Sequence, residues 1–354
     1  MTASGLPQPG DFILLGWAVL MALTSRIVFP RQFVTIWALL IIYIAAVSLL
    51  WALILSDASI LRNVLFYIFN FSIGVALFSL IHAEKAKAKK VLRVALYASL
   101  MTSLIFLGLN FNSGAARQVG GFNNPNQLGF YSLLQFCTLT ILYSRQERLP
   151  VHAWVTGIAT VLLTLLSSSL VAAAGIGVAV IGFMIRFRLA VRPISIAIGA
   201  TIVLLSGWLL MQSGFTTQLI NQWESRMNAA GRKLEGSVEQ RGFHRLLEYP
   251  EHLIFGAAEG ARYRFGVEAN EIHSGPLTIL FSYGLPGFIL LLALFWLLFR
   301  RATFSEWIVL LAPLVYMSTH QGLRTTMFWM FVVIAYSYMD NRSQSDATIV
   351  ARNA

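Results

Sequence analysis

The sequence is poor in charged residues and has almost no cysteine. Charged residues make up 12% of the 354 positions, about half of their usual share in a soluble domain, so an ordinary soluble domain is excluded. The single cysteine, Cys137, cannot form an internal disulfide. The chain also lacks an H-E-x-x-H motif and a carboxylate cluster with the spacing of metal ligands, so we expect no metal and no cofactor.

Apolar residues dominate the rest of the sequence. They make up 57% of the chain, and long apolar runs recur from Phe12 almost to the C-terminus. This pattern is typical of an all-α polytopic membrane protein, in which about 20 residues cross the membrane once. No basic segment with an A-x-A cleavage site precedes the first run, which we therefore expect to be retained. We expect one integral membrane domain over residues 1–354, in which Cys137 faces lipid or packs between helices.

Eleven apolar runs are candidates for membrane crossings, and ten or twelve crossings are also compatible with the sequence. The runs lie near residues 12–29, 33–55, 60–81, 91–109, 128–144, 151–167, 170–185, 193–211, 277–299, 307–319 and 325–339.

The distribution of Lys and Arg predicts the orientation of these runs. Sixteen of the 26 basic residues lie in one alternating set of loops and in the C-terminal tail, and basic residues concentrate on the cytoplasmic side. We therefore place the C-terminus inside and the N-terminus outside. The net charge of +11 then reflects topology, and nucleic acid is not an expected partner because no basic soluble domain with interleaved aromatic residues is present.

The long loop at residues 212–276 falls on the extracytoplasmic side in this orientation. It shows no low-complexity bias, and four apolar residues recur at helical spacing, which predicts a short amphipathic helix. These residues are Leu219, Ile220, Trp223 and Met227. A second helix is predicted from Val238 to Tyr249, because the residue before Pro250 is driven out of the helical conformation.

Arginines are frequent on this side of the membrane. On the second predicted helix, Arg241, His244 and Arg245 share one face at i, i+3 and i+4. The planar guanidinium suits bidentate contact with phosphate oxygens, so a converging set of arginines predicts an anionic, phosphate-bearing ligand. Ion pairs are the alternative, since the loop holds eight glutamates against six arginines and one lysine.

Several segments resemble a known family. The stretches "RGFHRLLEYP", "IFGAAEG" and "EIHSGP", followed by "LTILFSYGLPG", are similar in order and placement to the O-antigen ligase and polymerase superfamily of bacteria. The family pattern of a histidine, a small hydroxyl residue and a glycine after ten intervening residues is matched by His273, Ser274 and Gly284. The earlier stretch "RQVGGFNNPNQLGFY" is similar to the family's arginine, glycine and Asn-Pro-Asn segment. Together these segments cover 49 of the 354 residues, about one seventh of the chain.

The chain departs from the family at one place. Many members carry a Ser-Arg pair at the outer end of a middle span, whereas this sequence reads "SSSLVAAAG", with Leu170 and Val171 and no arginine. Either Arg117 or Arg324 takes the place of that arginine, or the donor is held differently.

The resemblance implies a metal-independent glycosyltransferase of the bacterial inner membrane with its active site on the periplasmic face. Its donor is a glycan on undecaprenyl diphosphate, and its acceptor is a sugar hydroxyl. His273 is the implied general base, because an imidazole pKa near 6.5 suits that role at neutral pH. Glu271 is a second base, a residue that orients the imidazole, or an ordinary residue at the start of a helix.

The resemblance also implies binding residues. The arginines that would hold the diphosphate are Arg241, Arg117, Arg245, Arg324, Arg262 and Arg264. The residues that would bind sugar are Asn123, Asn124, Asn126, Gln127 and His320. The asparagine-rich stretch could equally form a turn that caps the following helix.

Three functions remain open from the sequence. A polymerase would extend a lipid-linked glycan, whereas a ligase would move the finished glycan to lipid A core or protein; membrane lipid and other polysaccharide-assembly proteins are further candidate partners. The third function is transport, which is disfavoured because the spans contain few charges and show no inverted repeat of broken helices. The short chain and the lack of additional soluble domains favour polymerisation of O-antigen or exopolysaccharide repeat units.

Overall fold

The computed structural model of the protein describes most of the chain. The described residues are 9–24, 28–110, 117–187, 220–221, 223–225, 227–228, 241–266 and 271–339. They form α-helices, 3₁₀ turns and loops, and none of the described residues lies in a strand. The all-α class predicted from the sequence is therefore confirmed for this part of the chain.

The longer helices follow the apolar runs of the sequence. Twelve α-helices with defined ends occur in the described part: α1 Pro9–Thr24, α2 Arg31–Leu55, α3 Leu61–Ala83, α4 Lys85–Leu109, α5 Pro125–Tyr143, α6 Val151–Leu166, α7 Leu170–Phe187, α8 Arg245–Glu248, α9 His252–Phe255, α10 Gly275–Phe299, α11 Phe304–Met317 and α12 Thr326–Met339. Two 3₁₀ turns, Ala58–Ile60 and Arg262–Phe265, complete them. Ten of the eleven predicted runs coincide with one of these helices, and the run at 193–211 lies outside the described residues.

Several helices are long and apolar enough to cross a membrane. Among the described residues they are Arg31–Leu55, Ala58–Ala83, Lys85–Leu109, Leu170–Phe187 and Gly275–Phe299. Apolar helices of 10 to 17 residues occur at Pro9–Thr24, Val151–Leu166, Phe304–Met317 and Thr326–Met339. This composition indicates a membrane-embedded protein.

The helices divide into two compact units. The first unit contains α4 to α7 and α11, and the second contains α1 to α3, α8 to α10 and α12. Both units consist of apolar helices, so no change in composition along the sequence separates them.

The first unit packs through small residues. A Cβ added at Gly175 in α7 would lie 2.7 Å from Leu133 of α5 and 3.0 Å from the carbonyl oxygen of Ala312 in α11. Such contacts allow helix backbones to approach closely, as is usual in membrane proteins. Cys137 is fully buried here, with Sγ 3.6 Å from the carbonyl of Val309. It is therefore a packing residue.

The second unit has an aromatic core. The rings of Trp37 in α2 and Trp329 in α12 stack with their centroids 4.6 Å apart. Gly74 in α3 leaves room for the Trp37 ring, because a Cβ at that position would lie 2.4 Å from it. These contacts bring α2, α3 and α12 together.

A kink in α10 positions the loop that precedes it. Pro286 has no N–H to donate to the carbonyl of Ser282, four residues earlier, and Gly284 leaves the helical conformation with φ of 61° and ψ of −170°. The released carbonyl of Ser282 instead accepts a hydrogen bond from the N–H of Ala258 at 2.7 Å. A Cβ at Gly284 would lie 2.4 Å from the carbonyl oxygen of Ile254, so only glycine fits this position.

The same loop is anchored to α2. The indole N–H of Trp51 donates to the carbonyl of Gly256 at 2.9 Å, and the hydroxyl of Tyr43 donates to the carbonyl of Phe255 at 3.1 Å. The segment at 255–258 therefore lies against α2 and the kink of α10, and Glu259 and Arg262, which follow it, line one cavity with Thr278 and Phe281 of α10.

Candidate functional site

His273 lies on an extended segment directly before α10. Its side chain is exposed, and its backbone N–H donates to the carbonyl of Arg241 at 3.0 Å. Ser274 is the N-cap of the helix, and its hydroxyl accepts from the N–H of Leu277 at 3.4 Å. The predicted base therefore stands at the entrance of a helix whose start is fixed by a side-chain cap.

The turn between α11 and α12 contacts this segment. The side-chain amide of Gln321 donates to the carbonyl of Ile272 and to the hydroxyl of Thr278. The Thr278 hydroxyl donates to the same Ile272 carbonyl at 3.0 Å. The carbonyl of His320 accepts from the N–H of Gly275 at 3.2 Å.

Arg324 joins two carboxylates. It forms ion pairs with Glu259 and Glu271, and its Nε lies 2.8 Å from Oε2 of Glu259. Glu259 is 3% exposed, and its Oε1 accepts from the Tyr67 hydroxyl at 2.5 Å. The buried carboxylate is therefore fully partnered, and Arg324 is occupied by these glutamates rather than open to a ligand.

A polar cavity lies beside this ion pair. Its lining includes Glu259, Glu271, Arg245, Arg262 and Arg324, and the enclosed space is about 30 Å³. That space is small but exceeds the roughly 10–15 Å³ that one bound water molecule needs. A larger anion would contact the floor of the cavity only if the cavity widened, and the exposed Arg262 marks its open side.

Arg245 is the charged residue of this cavity that lacks sufficient partners. It is 3% exposed, and its Nε and Nη2 have no hydrogen-bond partner among the described residues. Its guanidinium lies 5.3 Å from the ring centroid of Phe265. Burial and the charge of Arg262 lower its pKa. A buried, unpartnered donor of this kind is costly and indicates a place where an anion would be stabilised.

The electrostatics of the segment keep His273 neutral near pH 7. The residue is exposed, but part of the ring packs against the protein, and this partial burial lowers the pKa of the imidazole. The carboxylate of Glu271 opposes this effect, and the charges of Arg241 and Arg262 lower the pKa further. The net result is a pKa below the ordinary value of 6.5. A neutral imidazole can accept a proton, which a general base requires.

Glu271 is held in its ionised form. Burial acts to raise its pKa, but the charge and hydrogen bond of Arg324 outweigh burial, and the net pKa lies below the ordinary value of 4.5. A carboxylate with a lowered pKa is a weak base. Its geometry fits a residue that organises the segment better than a second base.

The remaining predicted arginine of the loop, Arg264, forms hydrogen bonds with the backbone of the loop itself. Its guanidinium donates to the carbonyls of Ala261 at 3.2 Å and Ala257 at 2.5 Å. It also lies 4.5 Å from the ring centroid of Trp51 and 4.9 Å from that of Phe265. These contacts hold the loop together. They use Nε and Nη2 of Arg264 and leave its buried Nη1 without a partner among the described residues, whereas in Arg245 it is Nε and Nη2 that lack one.

The helix predicted from Val238 to Tyr249 is shorter in the structure. Residues 238–240 lie outside the described part, and the helix begins at Arg245. Gly242 has φ of 68°, which places a turn between Arg241 and His244. The predicted common helical face of Arg241, His244 and Arg245 is therefore wrong, because the turn separates the first residue from the helix. Arg241 instead donates from Nη1 to the carbonyl of Thr319 at 3.4 Å.

The predicted amphipathic helix earlier in the loop is described in part. Residues 220–221, 223–225 and 227–228 are helical, which agrees with the spacing of Ile220, Trp223 and Met227. Leu219 lies outside the described residues.

The other predicted residues belong to the first unit. Arg117 donates from Nη2 to Oδ1 of Asn126 at 2.6 Å and from Nε to the carbonyl of Ser167 at 3.2 Å. The side chain of Asn124 accepts from the N–H of Gln127 at 3.1 Å, so it caps α5 as the alternative interpretation expected. Asn123 and Gln127 are exposed at this helix start.

Sequence reasoning missed four contributors to the site. They are Glu259, Tyr67, Thr278 and Gln321. Glu259 and Thr278 lie in the stretches "IFGAAEG" and "LTILFSYGLPG", but nothing in those stretches marks them, and the partners of all four are 6 to 192 positions away along the chain. The one available signal was polarity inside apolar runs, since Tyr67 and Thr278 lie within helices that could cross a membrane. His320, predicted from its nearness to Arg324 in the sequence, contributes its backbone carbonyl to Gly275, and its Nδ1 lies 2.9 Å from the Thr319 hydroxyl.

Comparison with known proteins adds no family to this geometry. No protein-family model matches the chain, and none of the curated proteins matches it. Among the described residues, no group of three or more His, Cys, Asp or Glu could hold a metal ion. The case for a function therefore depends on the site itself and on the motifs of the sequence.

Proposed function

We propose that this protein is a metal-independent glycosyltransferase of the bacterial inner membrane that uses glycan linked to undecaprenyl diphosphate. In this proposal it transfers that glycan to a sugar hydroxyl at the periplasmic face and so polymerises O-antigen or exopolysaccharide repeat units. The observation that carries the proposal is the joint placement of a neutral histidine and a buried arginine with unpaired donors. His273 provides a base, and Arg245 provides a place for an anion in a cavity of the same unit that Glu271 and Ile272 also line.

The reaction needs a neutral base for the acceptor hydroxyl and positively charged groups for the leaving diphosphate. The acceptor hydroxyl attacks the anomeric carbon of the donor, a new C–O bond forms, and the bond to the diphosphate oxygen breaks with its electron pair. His273 takes the hydroxyl proton, and the lipid diphosphate leaves with additional negative charge. Preorganised cations at that oxygen stabilise the transition state, especially where water is excluded.

The arginines divide into two roles in this proposal. Arg241, Arg245 and Arg262 hold the diphosphate. The charges of Arg241 and Arg262 act on His273, and Arg245 and Arg262 line the cavity. Arg324 organises the site through Glu259 and Glu271, and Arg264 holds the loop through backbone carbonyls. The lowered pKa of Glu271 makes His273 the preferred base.

In the first unit, Arg117 is the better substitute for the arginine that the middle span lacks. Its side chain contacts the carbonyl of Ser167, the first residue of the stretch "SSSLVAAAG", whereas Arg324 is engaged by two carboxylates. Asn123 and Gln127 are exposed and are the candidates for sugar contacts, while Asn124 is used as a helix cap.

The test is direct glycan transfer by the purified protein. The protein is incubated with lipid-linked oligosaccharide, either alone or together with lipid A core. Growth of the lipid-linked chain supports the polymerase, and transfer to core would support the ligase instead. Transfer to neither acceptor contradicts the proposal, and movement of the donor between leaflets without transfer would favour a transporter.

A further inference from the structure

One turn contacts the His273 segment at three places. Arg324 pairs with Glu271, Gln321 donates to the carbonyl of Ile272, and the carbonyl of His320 accepts from the N–H of Gly275. The turn at residues 319–324 therefore contacts the segment at residues 271–275 both before and after His273.

The contact at Ile272 fixes one particular peptide unit. The carbonyl of Ile272 and the N–H of His273 belong to the same planar peptide. The carbonyl accepts from Gln321 and from Thr278, so both of its lone pairs are used. The N–H donates to the carbonyl of Arg241 at 3.0 Å. Hydrogen bonds therefore fix both the carbonyl and the N–H of the peptide unit between Ile272 and His273.

We infer that Gln321 is a positioning residue, which orients His273 for proton transfer by holding the peptide between Ile272 and His273. The inference rests on the proposed function, in which His273 is the base. A base must come within about 2.6–3.2 Å of the proton that it removes. A displacement of about 1 Å can lower a rate about 100-fold, so rotation of this peptide has a large effect on catalysis.

The polar contacts of Gln321 account for its role better than its volume does. Its side-chain nitrogen donates to two acceptors, one of which is the carbonyl directly before the base. Gln321→Met retains a side chain of similar length and removes both donors. Thr278→Val removes the hydroxyl that donates to Ile272 and leaves the amide of Gln321 in place.

The experiment follows the titration of His273 without any substrate. Diethyl pyrocarbonate modifies neutral imidazole, so the rate of modification of the peptide that contains His273 is measured by mass spectrometry as a function of pH. In the folded site, Glu271, Arg241 and Arg262 face the imidazole, and its pKa is lowered by burial and by the two arginines. Release of the peptide in Gln321→Met lets the ring turn away from its partly buried position near Arg241 and Arg262, so the midpoint is expected to move to higher pH.

Turnover gives the second measurement. We expect kcat of Gln321→Met to fall about 10- to 100-fold, with KM for the lipid-linked donor unchanged within about twofold, because the arginines are untouched. Gln146→Met, in the loop between α5 and α6, removes a glutamine amide elsewhere and should retain both the wild-type midpoint and the wild-type kcat. If Gln321→Met does not fold, Thr278→Val must show the same upward shift to a smaller extent.

The two claims fail in different ways. Absence of glycan transfer by the wild-type protein would remove the proposed function, whereas the titration of His273 would still show whether Gln321 positions it. An unchanged midpoint in Gln321→Met, or in Thr278→Val where the first variant does not fold, overturns the positioning role. A shifted midpoint with wild-type kcat overturns it as well, because the position of the ring would then be irrelevant to the reaction.

Discussion

Arg241 and His273 are joined through their backbones, since the carbonyl of Arg241 accepts a hydrogen bond from the N–H of His273 at 3.0 Å. This bond fixes the Arg241 backbone next to the base and does not depend on the side chain at position 241. Substitutions of Arg241 therefore test its guanidinium while the bond between the two residues stays in place.

Arg241→Lys should be nearly as damaging as Arg241→Ala if the guanidinium contacts diphosphate through its planar fork. A lysine keeps the charge but does not reproduce bidentate geometry. The measurement is the rate of glycan transfer at saturating acceptor, normalised to folded protein. Wild-type activity in Arg241→Lys would assign the side chain to its contact with the Thr319 carbonyl alone.

Arg245→Met should have opposite effects on stability and on donor binding. Without a ligand, the buried guanidinium has two nitrogens without partners, so an apolar side chain of similar length should be neutral or stabilising in thermal unfolding. A charge-assisted hydrogen bond contributes about 1.5–3 kcal/mol, so loss of one should weaken binding of lipid diphosphate roughly 10- to 150-fold.

Arg264→Met is the matched control for that experiment. Arg264 donates to the carbonyls of Ala261 and Ala257 and lies over Trp51, so its loss should lower the free energy of unfolding by about 2 kcal/mol or more. A loss of stability in Arg245→Met equal to that in Arg264→Met would show that both arginines are structural and would contradict the anion site.

Arg324→Met should destabilise the second unit. It leaves the carboxylate of Glu259, which is 3% exposed, without its cation, and breaking a buried pair in this way typically costs about 3–5 kcal/mol. Adding Glu259→Gln should recover part of the loss, because the unpaired charge is then removed. No recovery in the double variant would show that Arg324 acts through other contacts.

The same ion-pair network predicts loss of stability in acid. Burial opposes but does not overcome the effect of Arg324 on Glu271, so the pKa of Glu271 in the folded protein lies below 4.5. The contribution of the pair between Arg324 and Glu271 to the free energy of unfolding is therefore complete above pH 4.5. It is lost as the pH falls through the pKa that Glu271 has in the folded protein. Thermal unfolding of Glu271→Gln should lack this part of the pH dependence.

The proposed orientation can be tested at exposed positions of the two predicted sides. With Cys137 replaced by alanine, Leu247→Cys should react with a membrane-impermeant thiol reagent added from the periplasmic side. Leu247 is 81% exposed, and Glu147, in the loop after α5, is exposed as well. Glu147→Cys should react only after the membrane is opened. The reverse pattern would place His273 in the cytoplasm and contradict the site assignment.

The long helices could be predicted because hydropathy alone determines them. Apolar runs of about 20 residues satisfy their backbone hydrogen bonds internally in lipid, which leaves the helix as the local solution. Gly284 could be placed from its motif, but its physical role depends on the carbonyl that Pro286 releases and on the loop that accepts it. That role needs the three-dimensional structure.

The arrangement of the loop was less predictable. The helical spacing of Arg241, His244 and Arg245 suggested one face, and a single positive φ at Gly242 separates them. The sequence also gives no basis for distinguishing Arg324, which two glutamates neutralise, from Arg245, which is buried without enough partners. The two arginines have the same side chain, but their roles differ because of tertiary contacts, which cannot be predicted from the neighbouring sequence.

The central claim is that His273 removes the acceptor proton, and His273→Gln tests it most directly. Glutamine keeps a hydrogen bond but cannot accept a proton at neutral pH. We expect the variant to fold, to bind lipid-linked donor and to transfer glycan about 10² to 10⁴ times more slowly than the wild type. Because the pKa of His273 is lowered by burial and by Arg241 and Arg262, wild-type transfer should fall on its acidic side below pH 6.5. The decisive measurement is single-turnover glycan transfer by both proteins across this pH range. Loss of the acidic limb together with most of the rate in His273→Gln is the predicted result, whereas wild-type transfer with an unchanged acidic limb would contradict it.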